Sequence, residues 1–363
     1  MKSQFKSRTA KRVGVLTSGG DCPGLNAVIR GVVKSACQLG YETVGFLKGY
    51  EGLVDPVSYI SLNNKNTSGI LTQGGTILGS TNKGRFAATS GVSDRLELEP
   101  DLLEAVRTTV DQLDLAGLIC VGGDGSLKIA QQFDEFGIPV VGVPKTIDND
   151  LSATAFTFGF DSAVACATDA LDRLHTTACS HERIMVLEVM GRHAGWIALH
   201  SGIAGGASMV LIPEQPFDIE DVCARVKTRF QSKYAPIIVV SEGAMPRDGG
   251  EMTLVSGEKD AFGHVRLGGI GDRLASEIES RTGAEARAVV LGHIQRGGTP
   301  TAFDRWLATR FGLQAIDAVA EGDFGTMMAL RGTKIERLKL IEGTGELKLV
   351  SPAEYAEAQV FFG

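Results

Sequence analysis

Gly117-Leu118-Ile119-Cys120-Val121-Gly122-Gly123-Asp124-Gly125-Ser126 is followed, after a helical stretch, by Ile138-Pro139-Val140-Val141-Gly142-Val143-Pro144-Lys145-Thr146-Ile147-Asp148-Asn149-Asp150, and this pair decides the fold. Each begins with an apolar run short enough for a buried strand and ends in a turn that carries carboxylates. Two such units in succession predict strands of one parallel sheet with both turns at its carboxyl edge, where open α/β folds bind ligands. The second turn, from Gly142 onward, sets a hydroxyl, two carboxylates and a cation within Lys145 to Asp150. Side by side, the two turns point to metal-assisted phosphoryl transfer.

The same rhythm extends outward in both directions. Val13 to Thr17 reads as a first strand, Ser18 to Gly24 as a glycine-rich turn, and Leu25 to Leu39 as a helix with Val28, Val32 and Ala36 on one face. Further strands are predicted at Glu42 to Phe46, Ile184 to Val189, Ser208 to Ile212 and Ile237 to Val240, with helices at Leu102 to Leu113 and Ser162 to Thr176 and another from Asp272. Alternation of this kind, punctuated by 46 glycines, is the pattern of an α/β protein. At 363 residues the chain is long for one domain. The expected architecture is therefore two Rossmann-like three-layer lobes with an interlobe active-site cleft, the chain crossing more than once. One lobe is expected to hold residues 1–159 and 295–345, the other 160–294 and 346–363. Arg247 to His264, rich in Gly, Asp and Glu, reads as an exposed loop or hairpin.

Composition excludes several classes. Hydrophobic content of 43% is ample for a core, while the net charge of −7 and the lack of a basic tract argue against binding to nucleic acid. Any phosphate pocket must then be built from local Arg and Lys. The six cysteines are scattered without a Cys-x-x-Cys pair, which reads as buried thiols in a reducing cytosol. No apolar run reaches ~18 residues, and the polar start has no signal-peptide core. A cytoplasmic protein that does not enter a membrane is expected.

The chemistry-bearing residues follow the turns. Thr17-Ser18-Gly19-Gly20-Asp21 places bare backbone N–H groups ahead of a helix, where an anion can sit. The GxGxxG fingerprint of dinucleotide binding is absent. Asp124 in a phosphate cradle would repel its ligand unless a cation lay between them, which implies Mg²⁺. Gly125 leaves room for a ligand to pass close to the backbone. Thr146, Asp148 and Asp150 can divide the tasks of gripping phosphate, taking a proton from an alcohol and holding metal. Cations gather later, at Arg183, Arg192, Arg287, His293 and Arg296, each beside a strand-like run or glycine turn where a guanidinium can pair with phosphate.

Taken together, TSGGD at 17–21, GGDGS at 122–126, PKTIDND at 144–150, MGR at 190–192 and GHIQRGG at 292–298 resemble the motifs of the 6-phosphofructokinases, in order and over nearly the whole chain. The resemblance implies phosphorylation of fructose 6-phosphate by ATP and Mg²⁺ in a homo-oligomer, most often a tetramer with shared active sites. It implies that Gly20, Gly123, Asp124, Gly125, Ser126 and Lys145 bind the donor, and that Asp124 and Asp150 hold the metal. Asp148 would be the base, with Thr146 beside it and Arg192 stabilising charge. Met190, Gly191, Arg192, Glu242, His293 and Arg296 would hold the sugar, and Arg183 and Arg287 would reach its phosphate from a neighbouring subunit.

Departures from the familiar pattern concern the donor and regulation. Lys145 stands where pyrophosphate-dependent relatives carry Lys, whereas Gly125 stands where those relatives usually carry Asp and where Gly admits a nucleotide. The balance favours ATP, with pyrophosphate as the alternative donor. Asn82 replaces an Arg that faces the donor phosphates, and Lys83 or Arg85 is expected to substitute for it. In the effector pocket, His175, Ser208 and Gln231 replace charged groups beside Arg30, Lys34 and Lys233, so little response to phosphoenolpyruvate is expected.

Overall fold

The structure, a computed structural model, describes residues 11–81, 84–86, 97–231, 235–247 and 268–362. Asn82, Lys83, Lys233 and most of the loop expected at 247–264 lie outside the described residues. The chain divides into two compact units: Met1–Lys145 with Ala153–Ala155 and Arg305–Gly345, and Thr146–Ser152 with Phe156–Asp304 and Glu346–Gly363.

In the first unit the apolar runs become strands β1 (Arg12–Thr17), β2 (Glu42–Phe46), β3 (Tyr59–Leu62), β4 (Leu115–Gly122) and β5 (Val140–Thr146). Helices α1 (Leu25–Gln38), α2 (Pro100–Gln112) and α3 (Asp124–Glu135) connect them. The sheet is completed by β11 (Thr326–Arg331) and β12 (Lys334–Lys339), giving the order β12-β11-β5-β4-β1-β2-β3. β3 and β12 are antiparallel to their neighbours, and the pairs among β2, β1, β4, β5 and β11 are parallel. Val13, Val15, Val121, Val140, Val141 and Val143 are fully buried, as central parallel strands covered on both faces require.

Register sets the level at which the turns open. Thr17 pairs with Val121 and Gly122 with Pro144, so β1, β4 and β5 end together at one edge. β5 runs on through Lys145 to Thr146, past Pro144, its last residue paired with β4, and further than the apolar run alone suggests, and the chain bends away only at Ile147. Across the unit, α1 meets α8 (Ala302–Glu321) backbone to backbone. A Cβ on Gly312 would lie 2.6 Å from the Val28 carbonyl oxygen, and one on Gly31 would lie 2.9 Å from that of Thr309.

The second unit is built on a four-stranded parallel sheet. Its strands are β7 (Ile184–Val189), β8 (Met209–Leu211), β9 (Ile237–Ser241) and β10 (Ala286–Val290), in the order β10-β7-β9-β8. The two-residue β6 (Phe158–Gly159) and helices α4 (Phe160–His181), α5 (Trp196–Ala204), α6 (Ile219–Gln231), α7 (Ile270–Thr282) and α10 (Pro352–Gln359) belong to this unit, and the short α9 (Leu340–Gly343) to the first. Its core joins Ile184 and Val186 of β7 and Ile238 and Val240 of β9 to Val222 and Val226 of α6 and Ile270, Leu274 and Ile278 of α7. Glu188, buried on β7, accepts the Gly271 N–H at 2.8 Å and so holds the first turn of α7. Burial raises its carboxyl above the usual range, against the N–H groups of Gly271 and Gly269.

The starts of α4 and α8 cap one another. Asp304 Oδ2 accepts the Ser162 N–H at 2.8 Å and its hydroxyl at 2.6 Å, while the Thr301 N–H donates to Ser162 Oγ at 3.0 Å. All six cysteines are free; Cys22, Cys120 and Cys223 are buried, Cys166 is half-buried, and Cys37 and Cys179 are exposed, in contrast to the uniform burial expected. No helix among the described residues is long and apolar enough to cross a membrane.

Candidate active site

The ends of β1, β4 and β5 form a polar cradle in the first unit. Gly19 follows β1 with a φ of 80°, and the Ser18 N–H donates to the Val121 carbonyl at 2.9 Å, tying the first turn to β4. Thr17 Oγ1 donates to the Gly79 carbonyl at 3.1 Å, and Ser80 Oγ donates to that of Gly19. A Cβ on Gly122 would lie 2.2 Å from that of Ser126, and one on Gly123 would lie 3.2 Å from the Lys145 carbonyl oxygen, so the paired glycines are dictated by close packing. The twelve-residue helix α3 begins at Asp124 with Gly123 as its N-cap and no side-chain cap, leaving first-turn N–H groups for an anion.

Asp124, expected in a turn, is thus the first helical residue. Its carboxylate pairs with Lys128 at 2.9 Å, one turn along. Gly125 and Ser126 complete that turn, and the Ser126 carbonyl accepts the buried Tyr50 hydroxyl at 2.7 Å. Lys145 is only 3% exposed and donates to the Gly20 carbonyl, so its ammonium spans from β5 to the turn after β1. Gly20, Gly123, Asp124, Gly125, Ser126 and Lys145 are therefore brought together. Arg85 is engaged elsewhere: its guanidinium makes two 3.1 Å bonds to Glu51, and Nη1 reaches the Asp55 carbonyl at 3.3 Å.

In the second unit Thr146 to Ser152 form a short loop with a defined geometry. The Asp148 N–H donates to Thr146 Oγ1 at 3.0 Å, and Thr157 Oγ1 donates to the Thr146 carbonyl at 2.8 Å. Asn149 adopts a left-handed φ of 52°, so the segment from Asp148 to Asp150 turns rather than runs extended. Asp148 is 5% exposed, and its Oδ1 is buried without a hydrogen-bond partner among the described residues. A buried, unbonded carboxylate oxygen is costly and calls for a functional account.

Beside this loop stand the turns after β7 and β9. Met190 is buried, Gly191 and Arg192 both have positive φ, at 141° and 52°, and the Arg192 N–H donates to Glu242 Oε1 at 3.2 Å. Burial, and then the charge of Asp148, push the Glu242 carboxyl up to about 7, while the N–H and guanidinium of Arg192 pull it down. Asp148, Arg192 and Glu242 therefore share one electrostatic environment. His293 and Arg296 lie on a 3₁₀ turn over Gly292–Arg296 after β10, which the Leu291 N–H ties to the Glu188 carbonyl at 3.1 Å.

Arg183 and Arg287 lie at the other end of this sheet. Arg183 precedes β7 and Arg287 pairs with Met185 near its start, whereas Met190 to Arg192 follow its end. Six residues of strand separate the two by about 20 Å. Both arginines are held by Glu285, with Arg183 Nε and Arg287 Nη2 each 2.6 Å from its oxygens. The sequence carries no local signal for this shared carboxylate.

The donor set suits a hard cation that also binds phosphate. Mg²⁺ commonly takes one or two carboxylates plus phosphate oxygens and water, and a carboxylate at an anion-binding helix start fits that role. Among the described residues no group of three or more His, Cys, Asp or Glu forms a dedicated metal cage.

Comparison with known proteins accords with this geometry. The Phosphofructokinase family model matches residues 12–319. The pyrophosphate–fructose 6-phosphate 1-phosphotransferase of Amycolatopsis methanolica is 58% identical, over 97% of this chain and 100% of that protein. An ATP-dependent 6-phosphofructokinase 3 from Streptomyces coelicolor is 52% identical, over 96% of this chain and 99% of that protein. The T-state crystal structure of Pichia pastoris phosphofructokinase matches with a TM-score of 0.77 at 31% identity, covering 92% of this chain and 35% of that one. On the family match and these identities, the chain belongs to the phosphofructokinase family.

Proposed function

We propose that this protein transfers the terminal phosphoryl group of ATP to the 1-hydroxyl of fructose 6-phosphate, giving fructose 1,6-bisphosphate, as a cytoplasmic glycolytic enzyme. Asp148 carries the reading: among the described residues its buried Oδ1 has no hydrogen-bond partner, which supports a role as proton acceptor. In the transfer Asp148 takes the proton of the 1-hydroxyl as that oxygen bonds to the γ-phosphorus in line, and the bond to the β-phosphate oxygen breaks to release ADP. The base need not be strong, since positioning and charge stabilisation supply most of the acceleration. Mg²⁺, for which Asp124 and Asp150 are the carboxylates, neutralises phosphate charge when bound. The α3 N–H groups and Lys145 hold donor phosphates, Arg192 meets the charge on the transferred group, and Thr146 fixes the Asp148 backbone. Met190, Gly191, Glu242, His293 and Arg296 hold the sugar phosphate.

Arg183 and Arg287 serve a site on another subunit, which makes the active form a homo-oligomer, a tetramer on the family pattern. Their position about 20 Å along β7 from Arg192 supports this. Their pairs with Glu285 are solvent-exposed and screened, so a phosphate can replace that carboxylate at little cost.

A second reading, pyrophosphate as donor, is favoured by one observation: the buried Lys145 ammonium sits at the turn after β1, where it can neutralise a compact, highly charged donor. The relative at 58% identity is named for that donor. Gly125, without a carboxylate in the first turn of α3, favours ATP. A coupled assay with fructose 6-phosphate, Mg²⁺ and each donor in turn decides. Higher kcat/KM with ATP is the expected result, and the reverse assigns pyrophosphate.

A further inference from the structure

The loop that carries Asp148 is held by chain that lies beyond residues 12–319. Leu347 bridges Leu151 in antiparallel fashion, and the Lys348 N–H donates to the Asp150 carbonyl at 2.8 Å. Lys348 Nζ donates to Asn149 Oδ1 at 3.0 Å and stands 5.7 Å from the centroid of the Trp196 ring. Behind it, Trp196 Nε1 donates to the Lys348 carbonyl at 2.7 Å, and the Val350 N–H donates to Glu214 Oε1 at 2.9 Å. Glu214 also takes the Gly195 N–H at the start of α5. This strap is thus fixed to a helix on one side and bonded to the catalytic loop on the other.

Asn149 is the residue through which the strap acts. It is 3% exposed and holds a left-handed φ of 52°, a conformation that asparagine enters more readily than other non-glycine residues but that local bonds must still select. Its Oδ1 receives those bonds, from Lys348 Nζ and from the Thr157 N–H at 3.1 Å. Because Asn149 lies between Asp148 and Asp150, its backbone angle sets how the chain turns between the two carboxylates. An ammonium is suited to the place, since it donates to the amide oxygen while offsetting the charges of the adjacent acids.

We propose that Lys348 is a positioning residue for phosphoryl transfer: it clamps Asn149 and thereby fixes the direction in which Asp148 presents its unbonded oxygen. The proposal rests on the phosphotransferase reading above. Lys348 touches no reacting atom, so its loss acts through misplacement of the base. A misplacement of about 1 Å costs on the order of 10²-fold in rate.

The test compares the full-length wild type with Lys348→Met, which keeps the stem and removes the ammonium, and with Lys348→Arg, which restores a cationic donor. Expected for Lys348→Met is a kcat lowered about tenfold to hundredfold, with KM for fructose 6-phosphate within about twofold of wild type. Lys348→Arg should recover most of the loss. Hydrogen exchange of the peptide spanning 146–152, read by mass spectrometry without substrate, should be faster in Lys348→Met. If Lys348→Met does not fold, Lys348→Gln takes its place with the same expectations. An unchanged kcat, a defect confined to KM, or unchanged exchange in 146–152 overturns the proposal. Failure of the wild type to phosphorylate fructose 6-phosphate with either donor removes the functional reading instead, and the exchange measurement still decides whether Lys348 holds the loop.

Discussion

Glu242 shows how a single residue comes to sit in the field of Asp148, the base of the proposed reaction. Its carboxyl is pushed from 4.5 up to about 7 by burial and by Asp148, so the folded protein keeps a proton there that the unfolded chain has released. A raised carboxyl of this kind contributes stability below its unfolded value and loses it as pH rises through the folded one. Stability should therefore fall between pH 4.5 and about 7, and Glu242→Gln should flatten that part of the curve. Chemical denaturation of both proteins across this range checks it, and parallel curves would refute the assignment. At the same scale, donor choice in the proposed reaction turns on Lys145, because its ammonium is fixed on the Gly20 carbonyl while Gly125 stays small.

Among the elements, β5 sets the start of the Asp148 loop, and the starts of α4 and α8 hold one another. β5 brings Lys145 and Thr146 to the strand end, and the left-handed Asn149 then turns the chain between Asp148 and Asp150. Asp304 is fully buried and accepts both the N–H and the hydroxyl of Ser162 in α4 through one oxygen, while its Oδ1 has no partner among the described residues. Burial pushes it up to about 6 against the bonds from Ser162 and the Gly159 N–H. Removing an acceptor that satisfies buried donors costs about 1–3 kcal/mol. Asp304→Ala should lose stability of that order in denaturant titration, and Asp304→Asn, which keeps one acceptor oxygen, should lose less. A neutral Asp304→Ala would show that water or relaxation satisfies Ser162.

For the whole molecule, the decisive feature is the distance from Arg183 and Arg287 to the carboxyl edge of their own sheet. If they serve a neighbouring subunit, two individually defective variants can repair one another. Asp148→Ser should lack turnover, down about 10²- to 10⁴-fold, and Arg287→Ser should bind fructose 6-phosphate weakly. A co-expressed hybrid would contain sites with an intact Asp148 and an intact Arg287 from different chains, so its kcat/KM should exceed that of either parent. An activity equal to the average of the parents would show that each subunit completes its own site.

The α/β class, the parallel order of β4 and β5 and the two carboxylate-bearing ends were legible in the sequence, because short apolar runs ended by glycine or Asp are local signals. The cradle residues 122–126 and the Asp148 loop could be named for the same reason. Tertiary structure alone decided the rest. Lys348 and Asn149 are 199 residues apart, and a single long-range bond leaves no periodicity to read. Glu285 looks like any surface acid until the fold sets two arginines beside it. β5 outruns its ladder with β4, which ends at Pro144, and the pairing of Arg85 with Glu51 depends on where the chain returns. Local order follows from steric and solvation preferences of neighbouring residues, whereas the partner of each charged group is chosen by packing that only the folded chain contains.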